Sequence, residues 1–274
     1  MHLVVSNLAW HPEQEAEALD LLRNSGISGI EVAPRKIFGD LLGVMRQEAE
    51  QYRESLQKRG FTIPALQAYL FGRSELKLFR EGSRTDFVLY TKRALSLTAW
   101  LGANILVFGA PKNRRYEGIP PKDAMEIARV VFCELGVLAY ELGVFLCIEP
   151  NPAEYGCEFL TNVAQAAAFV RDVAHPGVAL QLDVGCMRLA GDDIRMAIEE
   201  NVDILRHVHV SKPFLSLFDS ADAGDRVAAE ALQRVGYRGW ISLEMLPGTK
   251  PLDDLQRSLV VFQNAYSLYR VVNL

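Results

Sequence analysis

Eight short, apolar, β-rich runs alternate with eight longer stretches of helical period, and this alternation is the tightest constraint on the architecture of the chain. The runs are Leu3 to Leu8, Gly29 to Ala33, Phe61 to Ala68, Asn104 to Phe108, Val144 to Glu149, Val178 to Asp183, Leu205 to Val210 and Trp240 to Met245. Most are nearly continuous in apolar residues, as strands covered on both faces must be. Between them the period lengthens to about 3.6, over Pro12 to Asn24, Val44 to Arg59, Thr85 to Leu101, Pro121 to Leu142, Asn162 to Val173, Asp193 to Glu200, Ala221 to Val235 and Leu252 to Tyr269. Gly26, Gly60, Gly102, Gly143 and Gly236 each close a helical run just before a strand, where a left-handed residue stops a helix. Parallel strands joined eight times by crossover helices predict an α/β chain built as a single (β/α)8 TIM barrel, one domain spanning residues 1–274.

Composition removes several function classes. Half of the residues are hydrophobic and 23% are charged, so a sizeable core is expected. The 29 Lys+Arg against 34 Asp+Glu lack the basic excess that phosphate-backbone binding needs, so no nucleic-acid partner is expected. Met1 to Trp10 has no basic leader and too short an apolar part for a signal peptide or membrane span; a cytoplasmic location with no membrane partner is the expectation. Cys133, Cys147, Cys157 and Cys186 show no CxxC pairing, which favours reduced thiols over a zinc ribbon.

In a barrel of this kind chemistry gathers where strands end. The last four strands finish Ile148-Glu149-Pro150-Asn151, Leu182-Asp183-Val184-Gly185, His207-Val208-His209-Val210 and Ser242-Leu243-Glu244-Met245. Glu149, Asp183, His209 and Glu244 thus hold equivalent places. One acidic residue at a strand end is commonly a helix cap, but three carboxyl groups after apolar runs are costly together unless a cation neutralises them. Oxygen-rich ligation with one imidazole suits Mn²⁺ or Mg²⁺ and tolerates Co²⁺ or Zn²⁺. Such an ion, on a carbonyl and a neighbouring hydroxyl, would stabilise the enediolate left by loss of an adjacent C–H proton.

The order and spacing of these motifs, with ligands 34, 26 and 35 residues apart, together with Gly239-Trp240-Ile241-Ser242-Leu243-Glu244, resemble the xylose-isomerase-like barrel superfamily of sugar isomerases and epimerases. That group also holds tagatose 3-epimerases, inosose dehydratases and the family 2 AP endonuclease, endonuclease IV. The resemblance covers nearly the whole chain. It implies one divalent ion, manganese first, on Glu149, Asp183, His209 and Glu244, with Glu149 and Glu244 as acid and base on either side of a substrate carbon. The expected activity is isomerisation or epimerisation of a sugar, sugar phosphate or related hydroxy-ketone; a dehydratase of the same family or a non-catalytic sugar-binding barrel are the alternatives.

Three departures narrow the likeness. Cys186 stands where relatives often have a histidine, three residues after the Asp ligand. His2, His11, His175, His207 and His209 are too few for the three-zinc site of endonuclease IV. The arginine that epimerases often carry beyond the His ligand is missing from His209-Val210-Ser211-Lys212-Pro213-Phe214-Leu215, so Lys212 is expected to take part of its task.

Further substrate-binding candidates come from the other strand ends. Gly109-Ala110-Pro111-Lys112-Asn113-Arg114-Arg115 is a basic loop in which Lys112 and Arg114, joined by Arg35 and Lys36, would grip a phosphate or carboxylate, making the partner a small carbohydrate or an anionic sugar derivative. Gln67 and Asn151 would bond substrate hydroxyls. His207 faces inward with His209 and is expected to be hydrogen-bonded in the core. Trp10, Phe38, Tyr69 and Phe71 are candidates to roof the pocket. The apolar C-terminal helix, from Leu255 to Tyr269, leaves a homo-oligomer possible.

Overall fold

Continuous apolar strands find cover on both faces by closing around one core and burying the other face under helices. The computed structural model, which describes residues 1–266, does this. The strands are β1 (His2–Ser6), β2 (Gly29–Glu31), β3 (Ala65–Leu66), β4 (Ile105–Phe108), β5 (Phe145–Ile148), β6 (Val178–Asp183), β7 (Leu205–Val210) and β8 (Trp240–Leu243). All pair in parallel in the order β2-β1-β8-β7-β6-β5-β4-β3. Two isolated bridges, Gly29 to Thr62 and Val32 to Leu66, bring the remaining edges together, so the barrel is nearly closed. The helices are α1 (Glu15–Asn24), α2 (Pro34–Phe38), α3 (Arg46–Lys58), α4 (Glu81–Trp100), α5 (Pro121–Glu141), α6 (Val163–Val173), α7 (Val184–Ala190), α8 (Ile194–Glu199), α9 (Ala223–Arg234) and α10 (Pro251–Tyr266).

The predicted units and the observed ones agree in number and order. Glycines expected to end helices take the left-handed conformation, Gly60 at φ +86 and Gly102 at φ +74 among them. The run Phe61 to Ala68 yields only the two residues of β3, because Pro64 has no N–H to give a ladder and Thr62 pairs through a bridge alone. The short helices α2 and α7 were not expected. The helix predicted to reach Tyr269 is α10; residues 267–269 lie outside the described residues. No helix among the described residues is long and apolar enough to cross a membrane.

Two apolar compartments hold the barrel. The larger lies between strands and helices, where residues such as Leu19, Leu106, Phe132, Leu180, Val208 and Leu259 are enclosed, each contributing about 1.5–3 kcal/mol of burial. The smaller fills the barrel floor with Ala65, Ile105, Val107, Cys147 and Ala179, packed against Phe145. Above that floor the filling becomes polar, which requires inward-facing residues to be placed with care. β7 achieves this with one extra residue: Leu180 pairs with Leu205, but the next residue of β6, Gln181, pairs with His207. The bulge at Arg206 resets the alternation. Val208 then packs with the helices, while His207 and His209 face the interior beside Gln181 and Asp183.

Candidate active site

Four strands deliver the site. Glu149 follows β5, Asp183 ends β6, His209 lies in β7 and Glu244 follows β8; all four are buried, and one ligating atom from each falls within 4.8 Å of the other three. Asp183 is also the cap of α7: its Oδ1 accepts the Cys186 N–H (2.5 Å) and the Ser211 hydroxyl (2.9 Å), leaving Oδ2 without a partner. Helix cap and ligand are therefore compatible roles for this carboxylate. Glu149 accepts a hydrogen bond from Asn151 Nδ2 at Oε2 (3.0 Å), and its carbonyl accepts one from Arg114 Nη2 (2.7 Å). Gly109, just past β4, is required there, since a Cβ would collide with Glu149 Oε2.

His209 links this cluster to a second one below it. Its Nδ1 lies 3.1 Å from Glu244 Oε2 and 3.4 Å from Glu149 Oε1, near enough for charge attraction but without hydrogen-bond geometry. Its Nε2 meets Glu31 Oε1 at 3.0 Å, the same oxygen that His207 Nε2 meets at 2.9 Å, and Ser242 donates to Glu31 Oε2 (2.6 Å). Burial works to raise the pKa of Glu31, but the two imidazoles outweigh it and hold the carboxyl well below its ordinary value. A carboxylate accepts only, so both facing nitrogens carry protons. Glu31 thereby fixes the His209 tautomer and turns Nδ1 toward Glu149 and Glu244.

The upper carboxyl groups separate electrostatically. Burial would raise Glu149, yet His209, Asn151 and Arg114 together hold it below its ordinary value. Burial raises Glu244, and the charges of Glu149 and Glu31 add to it against His209. Asp183 is pushed up to about 7 by burial, then by Glu149 and Glu244. His209 is opposed by burial but lifted well above its ordinary value by Glu31 and Glu244. Three buried carboxyl groups thus compete for one imidazole, while Asp183 Oδ2, Asn151 Oδ1 and His209 Nδ1 remain buried without hydrogen-bond partners. This oxygen-rich set, with one aimed nitrogen and unsatisfied acceptors, fits a divalent cation.

The other expected binding residues are placed differently from one another. Asn151 is in the cluster. Gln67 is buried and donates to Ser6 Oγ (2.6 Å). Arg114 does not form an open cationic grip: it is fully enclosed, its guanidinium over the Phe108 ring (5.3 Å) and its Nη2 on the Glu149 carbonyl, because an apolar ring and a strand-end carbonyl together accommodate it there. Lys212 does not reach toward the ligands, since Asp225 (2.9 Å) and Asp222 (3.1 Å) hold its ammonium. Lys112 is exposed, and Lys36 donates to the Asn7 and Trp10 carbonyls. Trp10 and Tyr69 are buried, Phe38 packs edge-on against Tyr52, and Phe71 stands out in solvent.

Sequence reasoning missed Glu31. The signal was available, because an acidic residue inside the apolar run Gly29 to Ala33 must find donors in the core. It also missed Tyr155 and Phe214, whose rings meet edge to face at 5.5 Å above the cluster.

Comparison with known proteins agrees with this architecture. The pattern of a family described as xylose isomerase-like TIM barrel matches residues 19–264. A ketose 3-epimerase of Arthrobacter globiformis is 24% identical over 129 residues, 47% of this chain and 44% of that protein, so the match spans less than half of the relative's length. The crystal structure of D-psicose 3-epimerase with D-tagatose from Clostridium cellulolyticum H10 superimposes with a TM-score of 0.81 at 17% identity, covering 97% of this chain and 99% of that one. That of 3-keto-D-glucoside 4-epimerase from E. coli gives 0.79 at 19% identity, covering 96% and 99%.

Proposed function

Since the chain belongs to the xylose isomerase-like TIM barrel family, we propose that it is a divalent-metal-dependent sugar isomerase or epimerase acting on a ketose or related hydroxy-ketone. One observation carries the proposal: Glu149 and Glu244 both approach His209 Nδ1, at 3.4 and 3.1 Å, within a buried cluster that Asp183 completes. Two carboxyl groups meeting at one site are what a proton relay needs, one to take a proton and one to return it.

Glu149, Asp183, His209 and Glu244 would hold the ion, manganese by preference for this donor set. When bound, the ion supplies positive charge that steadies the negative charge developing on the substrate's oxygens. Glu149 then takes the proton from the carbon beside the carbonyl, with Asn151 orienting its Oε2. Glu244 returns a proton. Return to the opposite face of the same carbon inverts it, and return to the neighbouring carbon interconverts ketose and aldose. Gln67 is proposed to meet a substrate hydroxyl near Ser6. An uncharged sugar suits this mouth better than a phosphorylated one, because Arg114 is enclosed, Lys36 and Lys212 are paired, and of the side chains expected to grip an anion Lys112 alone stands exposed.

The test is to incubate the manganese-loaded protein with a panel of ketoses in heavy water. Deuterium is expected at the carbon beside the carbonyl with no loss of water from the sugar. Absence of exchange from every ketose would sink the reading, and a product lighter by one water would assign a lyase instead.

A further inference from the structure

Above the carboxyl groups the mouth changes character. The loops after β5, β7 and β8, three of the four ligand-bearing strands, are tied together at the rim. The Phe214 N–H donates to Tyr155 Oη (2.8 Å), and the Leu246 N–H donates to the Leu215 carbonyl (2.9 Å). Phe214 and Leu215 are consecutive residues in the left-handed region, at φ +59 and +54, a conformation costing about 1–2 kcal/mol per residue when a Cβ is present. Glycine would make the same two backbone bonds without that cost. The Phe214 ring is nonetheless 60% exposed, touching Tyr155 edge-on.

Folding gains little from a strained, exposed ring, so an explanation is to be sought in ligand contact. Tyr155 connects the ring to the chemistry: it stands on the loop that leads on from Glu149, while the segment bearing Phe214 leads on from His209 and sets the Ser211 hydroxyl on Asp183 (2.9 Å). Across the mouth, Phe71 follows β3, four strands round the barrel from β7, and is 81% exposed; Leu246, just past Glu244, is 48% exposed. A polar floor therefore lies under an apolar rim. In the segment Val210 to Leu215 the one cation, Lys212, is turned away onto Asp222 and Asp225, so no charge there opposes an apolar group.

Taking the proposed isomerase chemistry as its basis, we propose that Phe214, backed by Tyr155 and faced by Phe71 and Leu246, is the specificity wall for an apolar end of the substrate. The substrate class is a neutral hydroxy-ketone carrying an alkyl or aromatic group at the end remote from the reacting carbon. Aromatic walls with a few placed polar groups beneath them are the usual composition of small-molecule sites, and an added ring-on-ring contact is worth about tenfold in affinity.

The experiment compares a ketohexose, its 6-O-benzyl ether and its 6-phosphate with the manganese-loaded protein, by titration calorimetry and by deuterium exchange. The benzyl ether is expected to bind about tenfold more tightly than the parent sugar, and the phosphate no more tightly than it. Phe214→Ala is expected to cut that preference to about twofold. Phe214→Gly, which keeps the backbone turn and removes its strain, is expected to do the same, and Phe214→Trp to retain the preference. Equal affinities, a preference for the phosphate, or a benzyl preference that survives Phe214→Ala would overturn the wall. So would a Phe214→Ala variant that dissociates a dimer while leaving the preference intact, since the ring would then belong to a subunit contact. Exchange without the preference rejects the wall alone. Preference without exchange rejects the isomerase reading and leaves a site for an apolar sugar derivative, and absence of both rejects both.

Discussion

Two side-chain clusters, stacked inside one barrel and sharing His209, are buried alike and behave differently. In the lower one a single carboxylate, Glu31, meets three donors from His207, His209 and Ser242, so its charge and both its oxygens are satisfied; His207 Nδ1 alone is left over. In the upper one three carboxyl groups meet one imidazole, and Asp183 Oδ2 and His209 Nδ1 stay unpartnered. Burial does not distinguish them. The balance of donors to acceptors does: the closed set needs nothing further, whereas the open set is completed by a cation or a proton.

The sharpest way to break the comparison is to neutralise a member of each layer. Glu149→Gln or Glu244→Gln should lower deuterium exchange by about 10²–10⁴-fold, the usual worth of a general acid or base; a variant exchanging at the normal rate would remove that residue from the relay. Glu31→Gln acts one layer down, where its effect should be on positioning. It should weaken manganese binding by about 10–100-fold, read by calorimetry, and release the His209 tautomer, read from the imidazole nitrogen shifts. Unchanged affinity would mean that the lower layer holds nothing in place for the upper.

Acidity gives a third, smaller contrast. Asp183 ionises near 7 in the fold and near 3.8 when unfolded. A raised carboxyl stabilises the fold below the unfolded value, and that contribution is lost as pH rises through about 7. Metal-free wild type should therefore fall behind Asp183→Asn in melting temperature between about pH 4 and pH 8, by on the order of a few degrees, and saturating manganese should abolish the trend. A gap that is flat or narrows with pH would contradict the crowding of carboxyl groups inferred here. Smallest of all, Ser242→Ala removes one of the donors to Glu31 and should cost about 1 kcal/mol of stability in urea unfolding, with manganese affinity shifted far less than by Glu31→Gln.

The eight units were legible because each repeats the same physical grammar: an apolar run, a turn, a helix of 3.6 period, a glycine. The four residues proposed as ligands were legible because each ends or follows such a run, where an uncompensated charge has few explanations. Glu31 was not, because its partners lie 176, 178 and 211 residues away along the chain and only closure of the barrel brings them together. Arg114 read as a surface cation within a basic loop; its enclosure depends on Phe108 and the Glu149 carbonyl, which converge only in three dimensions. Nothing local marks Phe214 as left-handed, since phenylalanine ordinarily avoids that region. β3 was overread because an apolar run with a proline inside it still looks like a strand.

The extra residue at Arg206 acts as a phase shifter for everything downstream on its strand. Were β7 to pair without the bulge while keeping Arg206, the alternation would slip by one, setting Arg206 opposite Gln181, sending His207 and His209 outward to the helix layer and Val208 inward among the carboxyl groups. Both layers would be undone by a change of backbone register alone, with every side chain of both layers still present. A regular ladder counted on from Leu180 and Leu205 would pair Asp183 with Val208, and the one unpaired place at Arg206 is what gives Asp183 His209 as its neighbour.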